Sequence, residues 1–433
     1  MDDIIKKAKE KGEEAELFQV THKTTPVEFE NNRLKNIKTQ ELNSYALRLI
    51  KDGRLGFSTS TKEDNPEELL EKARQSSTFG RNFEPNLPEN NPAELNDMYD
   101  PKVQEVPLEK LIDLGSQLVD TMKNKNNDVL AQAEVEKAET KVTIKNTRGF
   151  DNSYKKTSFT IMGGAMLMVG KSFLTFGSFK SLPKYDPDTS ELKEELLQDL
   201  EFGPKEVDIK SGNYDVIISP SAMGDIFRPI IASIDGQAVE KKMSPFRDKL
   251  EQKLFDDRVN LIDMPHKPWT PGMCPFDDEG TLTKETPFIK EGTLLNFPLD
   301  LLTANSLEME PTGHAVRSAL SLPSPGLHNA VLEPGETELK DMIKNIDKGV
   351  YVKDLMGAWA GNPYGGEVNG NISLGYLIEN GEIVGRVKDC MFSCNTFEVL
   401  KDQLVDFSKE SKWMGSISYP YAHLEGVSIT AKG

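Results

Sequence analysis

The chain has 433 residues, enough for two or three domains and a large buried core. Its 52 Lys and Arg against 70 Asp and Glu give a formal charge of -18, which argues against direct nucleic-acid binding, because a phosphate backbone is drawn to basic surface. No apolar run approaches the roughly 20 residues that cross a bilayer and MDDIIKKAKEKGEEAE is no signal peptide, so the expectation is a soluble cytoplasmic protein with no membrane partner and its three cysteines reduced.

Asp2 to Lys11 predicts a short amphipathic helix. From Glu14 to Ser60 polar and apolar residues alternate through ELFQVTHKTTPVEFE, RLKNIKTQ, NSYALRLIKDG and RLGFSTS, with a hairpin turn at Lys51-Asp52-Gly53-Arg54. That is an antiparallel meander. Asn65-Pro66-Glu67 is a helix start, an N-cap followed by Pro and an acidic first turn, while Phe83 to Pro107 has no periodicity and predicts an ordered surface loop. A helix is expected from Leu108 to Lys123, with Leu111, Ile112, Leu118, Val119 and Met122 along one face. VLAQAEVEKAETKVTIKNTRG and SFTIMGGAMLMVGKSFLTFGSFKS predict strands with one buried face, their Met residues filling core.

Thr189 to Leu200 predicts an acidic helix, and Pro204 to Asn213 the crossing into a second domain. The strand YDVIIS runs from Tyr214 into Pro220 and the helical pattern MGDIFRPIIASI. Ile262 to Arg317, dense in Pro, Gly, Asp and Thr but interleaved with apolar pairs, predicts tightly turned strands and ordered loops. TELKDMIKNIDKGVYV predicts a helix ending at Gly349 that feeds a strand, and GNISLGYLIENGEIVGRVKD a hairpin turning at Asn380-Gly381. The expected fold is α+β, with an N-terminal α+β domain over 1-205 and a C-terminal β-rich domain over 206-433, each built on mostly antiparallel sheet with a few flanking helices.

The catalytic candidates are Asp277, Asp278 and Glu279 on one turn and Thr312, Gly313 and His314 on another. Adjacent strand residues point to opposite faces, so three carboxylates in a row seldom converge on a cation; turn formation and ion pairing are expected of them. A helical zinc motif needs two His about one turn apart, and His22, His266, His314, His328 and His423 are too scattered for one. Convergence of His266 with Asp263 and Asp277 in space would be the remaining metal arrangement. Cys390 and Cys394 are spaced too widely for a redox Cys-x-x-Cys pair, and read as neutral thiols on a strand. Gly361-Asn-Pro-Tyr-Gly365-Gly366 lacks the Lys of a phosphate loop.

The series Tyr214-Asp-Val-Ile-Ile-Ser-Pro220, Ser244-Pro-Phe, Asp263-Met-Pro265, Pro275-Phe-Asp-Asp-Glu-Gly280, Thr303-Ala304 and Pro311-Thr-Gly313 resembles the TldD/TldE (PmbA) family, long labelled modulators of DNA gyrase. Gly53-Arg54-Leu55-Gly56-Phe57 and Ile378-Glu-Asn-Gly381 fit in order, so the resemblance covers nearly the whole chain. It implies a two-subunit zinc metalloprotease, in which one subunit carries a His-Glu-x-x-x-His helix and a C-terminal Cys. Two imidazoles and a thiolate would hold zinc there, and the Glu would deprotonate its water. Counted from Tyr214, the matching positions here read Arg228-Pro229-Ile230-Ile231-Ala232-Ser233, and Trp413 to Pro420 holds no Cys. The resemblance is thus to the non-catalytic TldE/PmbA type, which implies a chain inactive on its own. It implies no metal, no cofactor and no catalytic residue of its own, a TldD-like zinc-bearing partner or a second copy of the chain, and unfolded or leader peptides as substrate. Asp277, Asp278, Glu279, Thr312, Gly313 and His314 would then line a groove or a subunit contact.

Overall fold

A computed structural model describes residues 3-63, 65-84, 86-89 and 94-431. The first helix, α1 (Asp3–Glu10), follows the predicted amphipathic pattern with Ile4 and Ala8 buried; its expected first residue, Asp2, lies outside the described residues. The meander is β1 (Glu14–Glu30), β2 (Arg33–Ile37), β3 (Gln40–Lys51) and β4 (Arg54–Ser60). Pro26 falls between the β3 pairing of β1, which ends at Thr24, and the β2 pairing, which begins at Val27, while on its other edge β1 pairs with β5 through Pro26 and Glu136. A residue without an N–H is tolerated in that gap.

Helix α2 (Pro66–Ser77) starts as its sequence predicts, with the Asn65 side chain accepting from the Glu68 N–H at 3.1 Å. The expected loop from Phe83 to Pro107 contains one helical turn, α3 (Pro101–Glu105), capped by Asp100. A single turn is too short to register as periodicity, but Asp followed by Pro is its start signal. Helix α4 (Leu108–Lys125) buries Leu111, Leu114, Leu118, Val119 and Met122. Strands β5 (Leu130–Asn146), β6 (Asp151–Val169) and β7 (Ser172–Leu182) complete an antiparallel seven-stranded sheet, ordered β4-β3-β1-β5-β6-β7 with β2 beside β1. Helix α5 (Ser190–Phe202) lies on it, and a Cβ at Gly163 would come within 2.8 Å of Leu196. A glycine there lets helix and sheet approach.

Ala315–Val316 pairs with Ser324–Pro325 by itself, and twelve other described strands form a second sheet whose hub is the long strand Ile417–Ala431. Pairings pass from it to Gly212–Ile218, Lys348–Met356, Glu367–Glu379 and Cys390–Asn395, then return to it, closing a ring. Most are antiparallel, and the fold is α+β. Helix α6 (Pro220–Ile234) packs on one face of this ring, where Val216, Ile218, Val350 and Val352 share its core. The alternate residues Ile217, Tyr351, Tyr376 and Tyr421 turn the other way, into a core that also contains Leu118, Ile161 and Leu196. The strand YDVIIS is almost wholly apolar because both its faces are covered.

The predicted helix ending at Gly349 is shorter, Leu339–Lys344, and Gly349 lies inside the strand Lys348–Met356. A side chain at Gly349 would strike the Asp215 carbonyl across the parallel pairing, so this glycine serves the sheet and not a helix end. The Asn380-Gly381 turn has positive φ at both residues, 53° and 77°, as its sequence predicts. No described helix is long and apolar enough to cross a membrane.

Candidate functional site

Helix α6 carries the positions where the family resemblance puts a metal motif. Ser219 caps it, accepting from the Ala222 N–H at 3.1 Å and donating to the Lys353 carbonyl. Arg228 points away from the core and donates to the Trp359 carbonyl at 2.8 Å. Pro229 is buried inside the helix, where its ring removes one rung of the backbone ladder. Ser233, fully buried, donates to the Pro229 carbonyl at 2.7 Å, and its own carbonyl accepts from Ser244. A guanidinium, an imide ring and a hydroxyl turned back on its helix offer zinc neither imidazole nor thiolate, so these residues do not fit the metal. Among the described residues no group of three or more His, Cys, Asp or Glu is arranged to hold a metal ion.

The acidic turn is interior. Asp277 accepts from the N–H groups of Glu279, Thr281 and Ala315 at 2.9 to 3.0 Å. Asp278 accepts from the Arg317 N–H at 2.8 Å. Glu279 pairs with Arg48 on β3 and accepts from the Leu301 N–H at 2.7 Å. The three carboxylates lie on a turn and not on a strand, and they diverge to three sets of partners. Burial, which raises both, is the largest influence on Asp277 and Glu279, and the Glu279 carboxyl is pushed up to about 7.

Arg48 also pairs with Glu16 of β1 at 2.5 Å, and Glu16 takes a second guanidinium, Arg317, at 2.6 Å. Glu16 is buried, yet the attraction of Arg48 and Arg317 outweighs desolvation and holds its carboxyl below the ordinary range. Arg317 lies over the Phe18 ring at 3.9 Å. The result is a buried ionic knot between β1 and β3 of the first sheet and the loops at 277-279 and 317.

His314 is buried, with Nδ1 at 2.9 Å from the Thr312 carbonyl and 3.0 Å from the Thr312 hydroxyl, while Nε2 lies 3.2 Å from Asp263. Asp263 also accepts from the His328 and Asn329 N–H groups. Its own burial would raise it, but these contacts leave the carboxyl below the ordinary range. The considered grouping of His266 with Asp263 and Asp277 does not form: His266 bonds Thr283, and Asp277 is occupied by the amides of its turn. Gly313, with φ at 74°, packs on the Leu282 backbone. Asp278 and Thr312 are half-buried and Asp277, Glu279, Gly313 and His314 are buried; their neighbours Gly280, Thr281 and Pro311 line a surface cavity of about 490 Å³.

Cys390 and Cys394 are free thiols on a strand, and burial pushes Cys394 up to about 12. Sequence reading missed the Arg48, Glu16 and Arg317 knot and a second one, in which Lys353 donates to Asp199 at 2.7 Å and Tyr376 to the same carboxylate at 2.7 Å. The available signal was a charged residue at an inward strand position, as at Glu16 and Arg48.

Solved structures share this architecture. TldE from Thermococcus kodakarensis superposes with a TM-score of 0.90 at 22% identity over 100% of both chains. A proposed DNA-gyrase modulator from Thermotoga maritima gives 0.88 at 23% over 99% of each. An uncharacterized protein of Methanocaldococcus jannaschii is 24% identical over 93% of this chain and 94% of its own. A protein of Archaeoglobus fulgidus named metalloprotease is 27% identical, but the match spans 57% of this chain and 58% of that one. Residues 211-431 match the PmbA/TldA metallopeptidase C-terminal domain and residues 15-77 match PmbA/TldA metallopeptidase domain 1, and the chain belongs to this family.

Proposed function

We propose that this chain is the non-catalytic, TldE/PmbA-type subunit of a two-chain zinc metallopeptidase that acts on unfolded or leader peptides in the cytoplasm. The observation that carries the reading is α6: the helix is formed and central to the C-terminal core, yet its motif positions hold Arg228, Pro229 and Ser233. A chain that keeps the scaffold while its motif positions cannot ligate zinc contributes enclosure and peptide contacts, and a TldD-like partner supplies the metal. The likeness to a structure named TldE supports this assignment.

A stand-alone peptidase built on His266, His314 and the 277-279 carboxylates is disfavoured by the burial of His314, Asp277 and Glu279 and by the hydrogen bonds that occupy all five groups. Modulation of gyrase through protein contact is the other reading, and the name of the Thermotoga maritima structure is its support. Affinity purification from the native cell tests the proposal. A co-purifying chain with the His-Glu-x-x-x-His motif, together with less than about a tenth of a zinc per copy of this chain alone, is the expected result. One tightly held zinc per isolated chain, or peptide cleavage by it, overturns the assignment.

A further inference from the structure

We infer that the outward face of strands β6 and β7 is a contact surface for a second copy of this chain, the two first sheets packing face to face about a twofold axis. Helices α4 and α5 cover the other face of these strands, where Ile161, Leu167, Leu174 and Phe176 are buried.

The outward face is apolar as well. Met168 pairs with Phe173 and Met162 with Phe179 across the β6-β7 register, and these four are 65%, 60%, 41% and 38% exposed. Leu130 of β5, paired with Met166, is 40% exposed on the same face. At about 200 Å² for a large side chain, the five leave roughly 450 Å² of apolar surface to water. Two copies in contact would bury about twice that, and with the rim would reach the roughly 1,000 Å² of a specific interface.

The pattern fits its own copy. Met162 and Met168 lie symmetrically about Ala165, Phe179 and Phe173 do so about Phe176, and Ala165 pairs with Phe176. A twofold axis through that pair, in the plane of the contact and perpendicular to the strands, sets Met162 of one copy on Met168 of the other and Phe179 on Phe173. It also sets Met166 on Gly164 and Thr175 on Gly177, each time a larger side chain on a glycine. Twisted sheets stack with their strands nearly aligned in this way.

Charge agrees with the same axis. Lys171 is exposed in the two-residue turn between β6 and β7 and has no ion pair among the described residues. Glu134 and Glu136 of β5, paired with Met162 and Thr160, have none either, and burial followed by repulsion from neighbouring carboxylates raises both. Rotation about the axis carries the Lys171 turn to the Thr160 end of the other copy, alongside Glu136. The inference rests on this sheet face and stands whether or not a zinc-bearing partner exists.

Sedimentation velocity of the full-length protein at about 200 µM should show a dimer, since an interface of this size supports affinity on the order of micromolar. Phe173→Glu, at an exposed position, should weaken it at least about tenfold with the circular dichroism spectrum unchanged. Lys171→Glu should weaken it about threefold to tenfold, and adding Glu136→Lys should restore it, because the pair is then reversed and not lost. A parent that stays monomeric, a dimer that Phe173→Glu leaves intact, or a charge reversal that restores nothing would each overturn the inference. A monomeric parent that loses a co-purifying TldD-like chain on Phe173→Glu would overturn it too, by giving the face to that chain.

Discussion

Arg48 carries two carboxylates at once, Glu16 and Glu279, in a place solvent does not reach. Removing one member of a buried ion pair leaves the others charged in a low dielectric, which costs about 3–5 kcal/mol. Arg48→Ala should therefore lower the free energy of urea unfolding by that amount, whereas breaking the exposed pair Lys72 and Glu68, which water screens, should change it far less. The Glu279 carboxyl is raised from its ordinary 4.5 to about 7 by burial, against the pull of Arg48. A raised folded value favours the protonated form, so its contribution to stability is complete below about 4.5 and fades as pH rises through about 7. Glu279→Gln should flatten the dependence of stability on pH across that window; parallel curves for variant and parent would refute the assignment. The residue-scale reading of the acidic turn as structural could be made from three adjacent carboxylates in a turn sequence, but their partners Arg48 and Leu301 are too remote in sequence to be foreseen.

At the scale of elements, α6 unites the main arguments. Its start is written in the sequence, a Ser N-cap followed by Pro, and the structure places the Ser219 oxygen on the Ala222 N–H. Ser219→Ala loses that cap and the bond to the Lys353 carbonyl and should cost about 1–2 kcal/mol in chemical denaturation, with the helix content measured by circular dichroism nearly unchanged. Pro229 within the helix has no comparable sequence signature of purpose; it is accommodated because the surrounding core fixes the helix on all its buried sides. The strand Gly212–Ile218 shows the complementary case. Its sequence predicted a strand, yet which residue meets α6 and which meets α5 and the first sheet follows only from its parallel pairing with Lys348–Met356.

Across the whole molecule, the proposed units 1-205 and 206-433 are joined by more than a linker. Leu118, Ile161 and Leu196 share one apolar core with Ile217, Tyr351 and Tyr421, and Asp199 of α5 receives Lys353 and Tyr376 from the second sheet. The intact chain should accordingly unfold in one cooperative transition, with fluorescence and circular dichroism giving coincident curves. A fragment ending at residue 205 should bind a dye for exposed apolar surface, because that core would lose its lid; two separate transitions in the intact chain would sink this view. By itself the sequence determined the α+β class, most strands and caps, and that Arg228 to Ser233 holds no His, Cys, Asp or Glu, since alternation, helix-start chemistry and side-chain identity are local properties. Only the tertiary structure decided which distant charges meet, that the carboxylates at 277 to 279 are occupied by their own backbone and by Arg48, and that Phe246, Phe255 and Phe397 from two segments pack together. Those facts depend on pairs of residues brought together by sheet register and helix packing, and no spacing along the chain encodes them.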